Sequence, residues 1–281
     1  MVKWVLWYYL YMKNFCIFLI LIFFISLAFY YFNYKSTSID LEKIKERGTL
    51  LVGTTGDYCP MSCYDVKSKT YIGFDIALAE DLAKSLGVNI EYVPTSWPSL
   101  MSDVINKKFD VAISGITITK SRKKQALMTK GYLDNGKTIL CRKDDVGKYT
   151  TLDSINKSDV RVMENPGGLN EKFAREFLPN STLIIHNVNY EIPQLVASGN
   201  ADVMITEVIE ANYYSHINEN LAAPLYVVPF TKSEIGMLLP KDNKQLLKYV
   251  NNFIDQEKRN GRITELKNIY LNSNKPLANY K

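Results

Sequence analysis

The sequence predicts an α/β protein of two lobes that close on a hinged cleft, preceded by one N-terminal hydrophobic helix. Three observations predict it. Short apolar strands alternate with amphipathic helices from Thr49 onward, the order that covers a parallel-rich sheet on both faces. One piece of that order recurs: Pro98-Ser-Leu, nine residues, then Asp110-Val-Ala-Ile-Ser114 is answered by Pro193-Gln-Leu, six residues, then Asp202-Val-Met-Ile-Thr206. A pattern that occurs only twice means two lobes of like architecture rather than a solenoid. Finally, the chain from Glu234 onward reads as a return to the first lobe.

A charged lead-in over residues 41–47 has helical spacing, and Thr49-Leu-Leu-Val-Gly-Thr-Thr55 is a short buried strand ending in a Gly/Thr turn. Residues 73–86 form an amphipathic helix that Gly87 stops, and Asn89-Ile-Glu-Tyr-Val-Pro94 is the next strand. Pro98 opens a helix, where proline in the first turn costs no hydrogen bond, and that helix feeds the strand at 110–114. In the returning segment 235–239 is a strand, and Leu246, Val250, Phe253 and Ile254 make a helical apolar stripe of ordinary core. The lobes are thus expected at 37–139 with 232–281, and at 144–226, with hinge crossings at 140–143 and 227–231. Two crossings make a hinge, and the cleft between the lobes is the natural ligand site.

Residues 1–36 read as a signal peptide or a membrane anchor. The apolar run at 15–32, broken only by Ser26, spans about 27 Å as a helix. Lys3 and Lys13 precede it, so the remainder is expected outside the cytoplasm, periplasmic or held at the inner membrane. The run ends without a small-x-small cleavage site, and Cys16 lacks the small residues that precede a lipid-modified cysteine. Met12-Lys13-Asn14 has the form of a signal start, which would leave the first eleven residues untranslated.

Of 281 residues, 47% are hydrophobic and 22% charged, ample for two folded units. Setting aside Lys3, Lys13 and Lys35 lowers the net charge from +5 to +2, and no basic stripe interleaves with aromatics, which argues against nucleic acid. His186 and His216 stand alone, away from Cys59, Cys63 and Cys141, so no metal site is expected. An exported chain oxidises Cys59 and Cys63 or leaves them free; spacing does not decide between these.

The chemistry-bearing stretches lie at strand ends. Ser114-Gly-Ile-Thr-Ile-Thr-Lys-Ser-Arg122 follows a strand and enters a helix, where backbone N–H groups and the hydroxyls of Ser114 and Thr117 face anions. Arg122 takes a carboxylate in bidentate fashion, or else is a solvated arginine beside a helix cap. Asn165-Pro-Gly-Gly-Leu-Asn170 follows a strand in the other lobe, and Gly167 and Gly168 let backbone amides approach a ligand. Tyr58 and Trp97 are either walls for a ring-shaped ligand or core. Glu207 and Glu210 stand one turn apart where an apolar strand gives way to a helix. Glu210 is either an acid that delivers a proton or a helix-start carboxylate favoured by the dipole.

Taken together, Val52-Gly-Thr-Thr-Gly-Asp-Tyr58, Tyr71-Ile-Gly-Phe-Asp75, Pro94-Thr-Ser-Trp-Pro98, Ser114-Gly-Ile-Thr117, Asp134-Asn-Gly-Lys-Thr138, Asn165-Pro-Gly-Gly168 with Asn170-Glu-Lys-Phe-Ala174, and Thr206-Glu-Val-Ile-Glu-Ala211 resemble the cyclohexadienyl dehydratases. The resemblance spans about residues 40–270. It implies the type II periplasmic binding-protein fold and cofactor-free conversion of prephenate to phenylpyruvate, and of arogenate to phenylalanine, by coupled loss of water and CO2. It also implies roles: Glu210 as general acid; Arg122, Thr117 and the Ser114/Gly115 backbone as carboxylate clamp; Trp97 and Tyr58 as ring contacts; Lys137, Asn165 and Asn170 as polar groups around the substrate.

Three departures stand out. Glu207 replaces an aspartate that holds the amino group in binding-protein relatives, and its longer arm is expected to intrude on the cleft. Leu169 stands where the family has threonine, which leaves the amides of Gly167 and Gly168 to hold the anion. Met61 and Cys63 alter a wall otherwise aromatic and hydroxylated. The Ser-Gly-x-Thr and Arg122 elements are shared with amino-acid-binding proteins of transporters and receptors. The rival expectation is therefore a solute-binding protein for an amino acid or similar anion. The expected partners are that small anionic ligand, the membrane if the first segment is retained, and a second copy of the chain if it self-associates.

Overall fold

The computed structural model describes residues 12, 14–15, 17–28, 41–225, 227–272 and 276–278. The first lobe starts with β1 (Thr49–Thr54), then an antiparallel meander of β2 (Asp57–Tyr58), β3 (Ser62–Asp65) and β4 (Thr70–Ile72). It continues through α1 (Phe74–Leu86), β5 (Asn89–Pro94), α2 (Leu100–Ile105), β6 (Val111–Ala112), α3 (Lys120–Gln125) and β7 (Leu127–Met128). β8 (Leu133–Asn135) and β9 (Lys137–Arg142) carry the chain across. The second lobe adds α4 (Leu152–Ile155), β10 (Arg161–Glu164), α5 (Leu169–Phe177), β11 (Thr182–Ile185), α6 (Ile192–Ala197), β12 (Val203–Glu207), α7 (Val208–Ile217) and β13 (Leu221–Ala222). β14 (Ser233–Ile235) and β15 (Leu238–Leu239) bring the chain back, and α8 (Lys244–Arg259) and α9 (Arg262–Leu266) pack on the first lobe.

Each lobe is built on a five-stranded mixed sheet. The first has the order β5-β1-β6-β15-β7, with β1 parallel to β5 and β6, and the returning β15 antiparallel to both neighbours. The second has the order β11-β10-β12-β9-β13, with β10 parallel to β11 and β12 and the entering β9 antiparallel to β12. In each sheet the antiparallel strand is one contributed where the chain crosses between lobes. Between the sheets β8 and β14 pair as a two-stranded ribbon, Asn135 opposite Ser233.

The first core forms where Leu50 and Val52 of β1 meet Phe74, Leu78 and Leu82 of α1 and the Leu246–Val250–Phe253–Ile254 stripe of α8. Each such side chain contributes about 1.5–3 kcal/mol on burial. In the second lobe the strands are buried on both faces. Ile139, Val203 and Ile205 point to one cluster with Phe173, while Leu140 and Met204 point to another with Ile192 and Tyr213. This two-residue alternation explains the continuous apolar runs of β9 and β12. Cys59 and Cys63 form a disulfide, and both pack into that last cluster. A first-lobe hairpin is thereby seated on the second lobe. Cys141 is free and buried.

The lobes also touch at Gly167, in the turn after β10. Its φ of +79° favours glycine, and a Cβ there would lie 2.7 Å from the Cα of Pro98 in the first lobe. The cleft in this structure is closed.

The expected N-terminal helix is present over residues 17–28, with its side chains exposed. Among the described residues no helix is long and apolar enough to cross a membrane. The anchor expectation therefore gains no support among the described residues. Lys3, Lys13, Cys16, residues 29–36 and the start proposed around Lys13 lie outside the described residues.

Asp202 ties the second sheet at its edge. Its Oδ1 accepts from Arg161 Nη2 at 2.9 Å and Arg142 Nη2 at 3.0 Å, and its Oδ2 accepts from the Arg161 amide at 2.9 Å. Burial pushes this carboxyl up, but the bonds from Arg161 and Arg142 outweigh it and hold the pKa at about 2. Stability from a depressed carboxyl is present above its unfolded value of about 3.9 and is lost as pH falls through the folded value. Asp202→Asn should therefore lower the melting temperature by a few degrees at pH 7. The gap to wild type should close as scans move from pH 4 to pH 2; a gap independent of pH would show that charge is not the cause.

Candidate functional site

β12 runs into α7 without a loop, and this corner positions two carboxyl side chains. Glu207 ends the strand in extended backbone (φ −115°, ψ 157°) as the helix cap, and Glu210 stands in the first turn. Both are buried, and their surroundings push them in opposite directions.

Glu207 reaches back to the first lobe. Its Oε1 accepts from the Thr117 hydroxyl at 2.6 Å and Lys137 Nζ at 3.0 Å; its Oε2 accepts from the Tyr58 hydroxyl at 2.9 Å and Asn135 Nδ2 at 2.8 Å. Burial pushes this carboxyl up. The Lys137 ammonium and the bonds from Thr117, Lys137 and Tyr58 outweigh burial and hold it below the ordinary glutamate range. Glu207 is a buried anion with four donors.

Glu210 has no cation against it. It is 0% exposed; Thr206 Oγ1 donates to its Oε2, and Asn189 Nδ2 donates to its Oε1 at 3.2 Å. Burial raises its pKa to about 8, aided by the charges of Asp57 and Glu207 and opposed by the bonds from Thr206 and Asn189. At neutral pH it carries its proton. It does stand in the first turn of α7, but buried and protonated where an ordinary helix-start carboxylate is exposed and ionised.

Neighbouring acids share the trend. Burial lifts Asp57 to about 6 against hydrogen bonds from Thr55 and Trp97, whose Nε1 donates to Oδ1 at 3.0 Å. Burial raises Glu164 well above its ordinary value; its Oε1 accepts from the Ile205 amide at 2.6 Å and its Oε2 has no partner among the described residues.

A cavity of about 30 Å³ lies between the lobes. From the first lobe and the crossing it is lined by Tyr58, Trp97, Gly115, Thr117, Arg122 and Lys137. From the second it is lined by Asn165, Gly168, Leu169, Asn170, Asn189 and Glu207. Tyr58 and Trp97 meet edge to face, ring centroids 5.8 Å apart. Arg122 is 8% exposed and donates from Nη1 to the Thr117 carbonyl at 2.8 Å. Burial lowers its pKa to about 10, and the Glu207 charge works against that fall, so the guanidinium stays charged. Lys137 Nζ also donates to Asn170 Oδ1. Space for a water or two remains, far less than a ring-sized ligand needs, with the Glu207 side chain among the lining residues.

Three residues named from sequence do not line the cavity. The Ser114 hydroxyl is turned inward to Thr55, bonding its amide at 3.1 Å and its hydroxyl at 2.8 Å. The Gly167 amide donates to Glu171 Oε2 at 2.7 Å. Glu210 sits behind Asn189. Gly115 does line the cavity, but its amide donates to the buried Asp75 carboxyl. The polar groups facing the cavity are therefore side chains more than the loop amides that the strand-end argument favoured.

Sequence reasoning missed Asn189, Asn135 and Asp57. Asn189 opens the turn Asn189–Glu191 before α6 and is 3% exposed. Nothing in Asn187-Val-Asn189 marks it, since its role comes from tertiary placement. Asn135 precedes Gly136 in a crossing strand, where a turn reading is natural. Among the described residues no group of three or more His, Cys, Asp or Glu could hold a metal ion.

Residues 50–273 match the family described as bacterial extracellular solute-binding proteins, family 3, and the chain belongs to that family. It is 38% identical over 241 residues to cyclohexadienyl dehydratase of Pseudomonas aeruginosa, covering 86% of this chain and 89% of that protein. An ancestral amino acid-binding protein, titled a precursor of cyclohexadienyl dehydratase, superposes with a TM-score of 0.76 at 39% identity, covering 82% of this chain and 99% of that one. An ancestral cyclohexadienyl dehydratase is 51% identical with a TM-score of 0.52, covering 83% and 96%.

A buried carboxyl with a raised pKa adds stability below its unfolded value, and that stability is lost as pH rises toward the folded value. Glu210, at about 8, and Asp75, pushed to about 7 by burial against bonds from Gly115 and Tyr132, share this sign. The melting temperature of the wild type should fall from pH 5 to pH 9. Glu210→Gln keeps a neutral group in place and should fall less steeply, ending a few degrees above wild type at pH 9; parallel curves would show that Glu210 ionises in its ordinary range.

Proposed function

We propose that this family member is a cyclohexadienyl dehydratase, converting prephenate to phenylpyruvate and arogenate to phenylalanine outside the cytoplasm. The observation that carries the reading is the β12–α7 corner. It holds a protonated carboxyl, Glu210, behind the cavity wall at Asn189, three residues from an ionised one, Glu207, that lines the cation-bearing cavity. A binding pocket for an anion has no use for a buried acid with no cation beside it. A lyase has: two carboxyls driven apart by their surroundings can take separate parts in one reaction. The likeness to the Pseudomonas aeruginosa dehydratase supports the same reading.

The chemistry follows from the substrate. Loss of CO2 releases an electron pair into the ring, the bond to the ring hydroxyl breaks, and the ring becomes aromatic. The hydroxyl leaves as water only if a proton reaches it. Glu210 supplies that proton and regains it from solvent in the next cycle. Arg122 and Lys137 hold the substrate's carboxylates, with Thr117 donating, while Trp97 and Tyr58 bracket the ring and Asn165, Asn170 and the Gly168 turn close over it. Glu207 pairs with Lys137, Thr117 and Tyr58 and yields them to the substrate. Residues 1–36 direct export.

The competing reading is amino-acid capture, favoured by one observation: an ionised Glu207 suits a ligand ammonium. Incubation of residues 37–281 with prephenate decides, because a binder makes no phenylpyruvate.

Glu210→Gln should fold, retain ligand and lose about 10²-fold or more in prephenate turnover; near-normal turnover would remove it from the role. Because the acid must be protonated, wild-type turnover should be level at neutral pH and decline above about 8. That decline should vanish from the residual activity of Glu210→Gln. A rate that rises through pH 8 would mean the carboxylate, not the acid, is the working form.

A further inference from the structure

We propose that Asn189 is a further substrate-contacting residue of this site: its Oδ1 accepts a hydrogen bond from the ring hydroxyl that departs, turning a lone pair of that oxygen toward Glu210. The inference rests on the dehydratase reading and extends it to a residue that no motif marks.

Asn189 lines the cavity while being 3% exposed. Its Nδ2 is fully committed, donating to the Asp57 carbonyl at 2.9 Å and to Glu210 Oε1 at 3.2 Å. These partners fix the amide's orientation, since the Asp57 carbonyl only accepts and the opposite flip would set two oxygens against each other. Oδ1 is left buried with no hydrogen-bond partner among the described residues. An unpaired buried acceptor costs about 1–3 kcal/mol, and in a cavity-lining residue that deficit is met by a donor on the ligand.

The ligand groups available are limited. In prephenate the carboxylates and the keto group offer no proton at neutral pH, and the ring carbons offer none. The hydroxyl offers one. When it donates to Asn189 Oδ1, both lone pairs of its oxygen stay free to accept, and the nearest acid is Glu210, bonded to the Nδ2 of that same amide. In the reaction step the Glu210 O–H bond breaks, the proton joins the leaving oxygen, the ring C–O bond breaks, and water departs. Asn189 neither gains nor loses a proton; it fixes the direction in which the proton travels.

Two variants and a ligand without the hydroxyl test this. Asn189→Leu is near in volume and removes both polar atoms, whereas Asn189→Asp keeps an acceptor and removes the donor. Wild-type turnover is read first; none with prephenate or arogenate overturns the function and this inference together. Given turnover, kcat should fall about 30-fold or more in Asn189→Leu, while Asn189→Asp stays within about tenfold of wild type. Phenylpyruvate, which lacks the ring hydroxyl, should bind both variants within about threefold of wild type.

The alkaline limb of the pH–rate profile should move upward in both variants, because a donor to Glu210 is gone while Asp57, Tyr58, Glu164 and Glu207 still face it. A purely structural role would lower the rate without moving the limb. Wild-type kcat in Asn189→Leu overturns the proposal and leaves the dehydratase reading standing. So does a tenfold loss of phenylpyruvate affinity, which would place Asn189 on the body of the ligand. If the leucine variant fails to fold, Asn189→Asp decides: a loss of 100-fold or more shows that an acceptor at this position is not what the reaction needs.

Discussion

The closed form of this protein depends on one carboxylate. Glu207 projects from the second lobe and takes hydrogen bonds from Tyr58 and Thr117 in the first and from Asn135 and Lys137 in the crossing strands. An ionised group taken out of water is costly unless its lone pairs are met, and here four donors from three parts of the chain meet them. The arrangement fixes the cleft angle, the place of the cations and the size of the remaining cavity. Lysine and arginine alone would repel one another across that space, and the charge of Glu207 offsets both.

The same corner makes Glu210 what it is. Three residues along the chain the donors run out, and burial dominates. Both acids are buried, so burial alone does not separate them. The difference is one ammonium and three hydroxyl or amide donors aimed at Glu207, against one hydroxyl and one shared amide at Glu210. Strand and helix join here without a loop, so neither side chain shifts without the other. The elements behind the corner are rigid on both faces: Ile205 and Val203 pack one way, Met204 the other.

Much of this was legible in the sequence. The strand and helix alternation, the doubled Pro-x-Leu…Asp-Val pattern and the returning apolar stripe of α8 all specify the two-lobed fold, because burial imposes periods that survive in the residue order. Arg122, Thr117 and Glu210 stand at strand ends and helix starts, which are recognisable places, whereas Lys137 was implied by the family resemblance. What failed was hydrogen-bond direction. Ser114 and Gly115 have the donors that the argument required, but Thr55 and Asp75 had prior claim on them, and those partners lie far away in sequence. Gly167 was diverted by Glu171, four residues on, a local competition that spacing could have suggested. Asn189 left no trace, since a lone polar residue in a turn looks the same whether it faces solvent or a cavity, and Asp57, though inside the Val52–Tyr58 stretch, takes its place from the distant Trp97.

The hairpin stapled by Cys59–Cys63 bears on how the acid is armed. It carries Asp57 and Tyr58 and packs into the second lobe's apolar cluster, so closing the lobes is what dries the space around Glu210. Parting them would hydrate that carboxyl and return its affinity for protons toward that of a free glutamate. The proton would then drain to the surroundings before any ligand met it. On the proposed dehydratase reading, such an acid would be loaded by closure and discharged by opening, and idle copies of the protein would hold no reactive proton in contact with water.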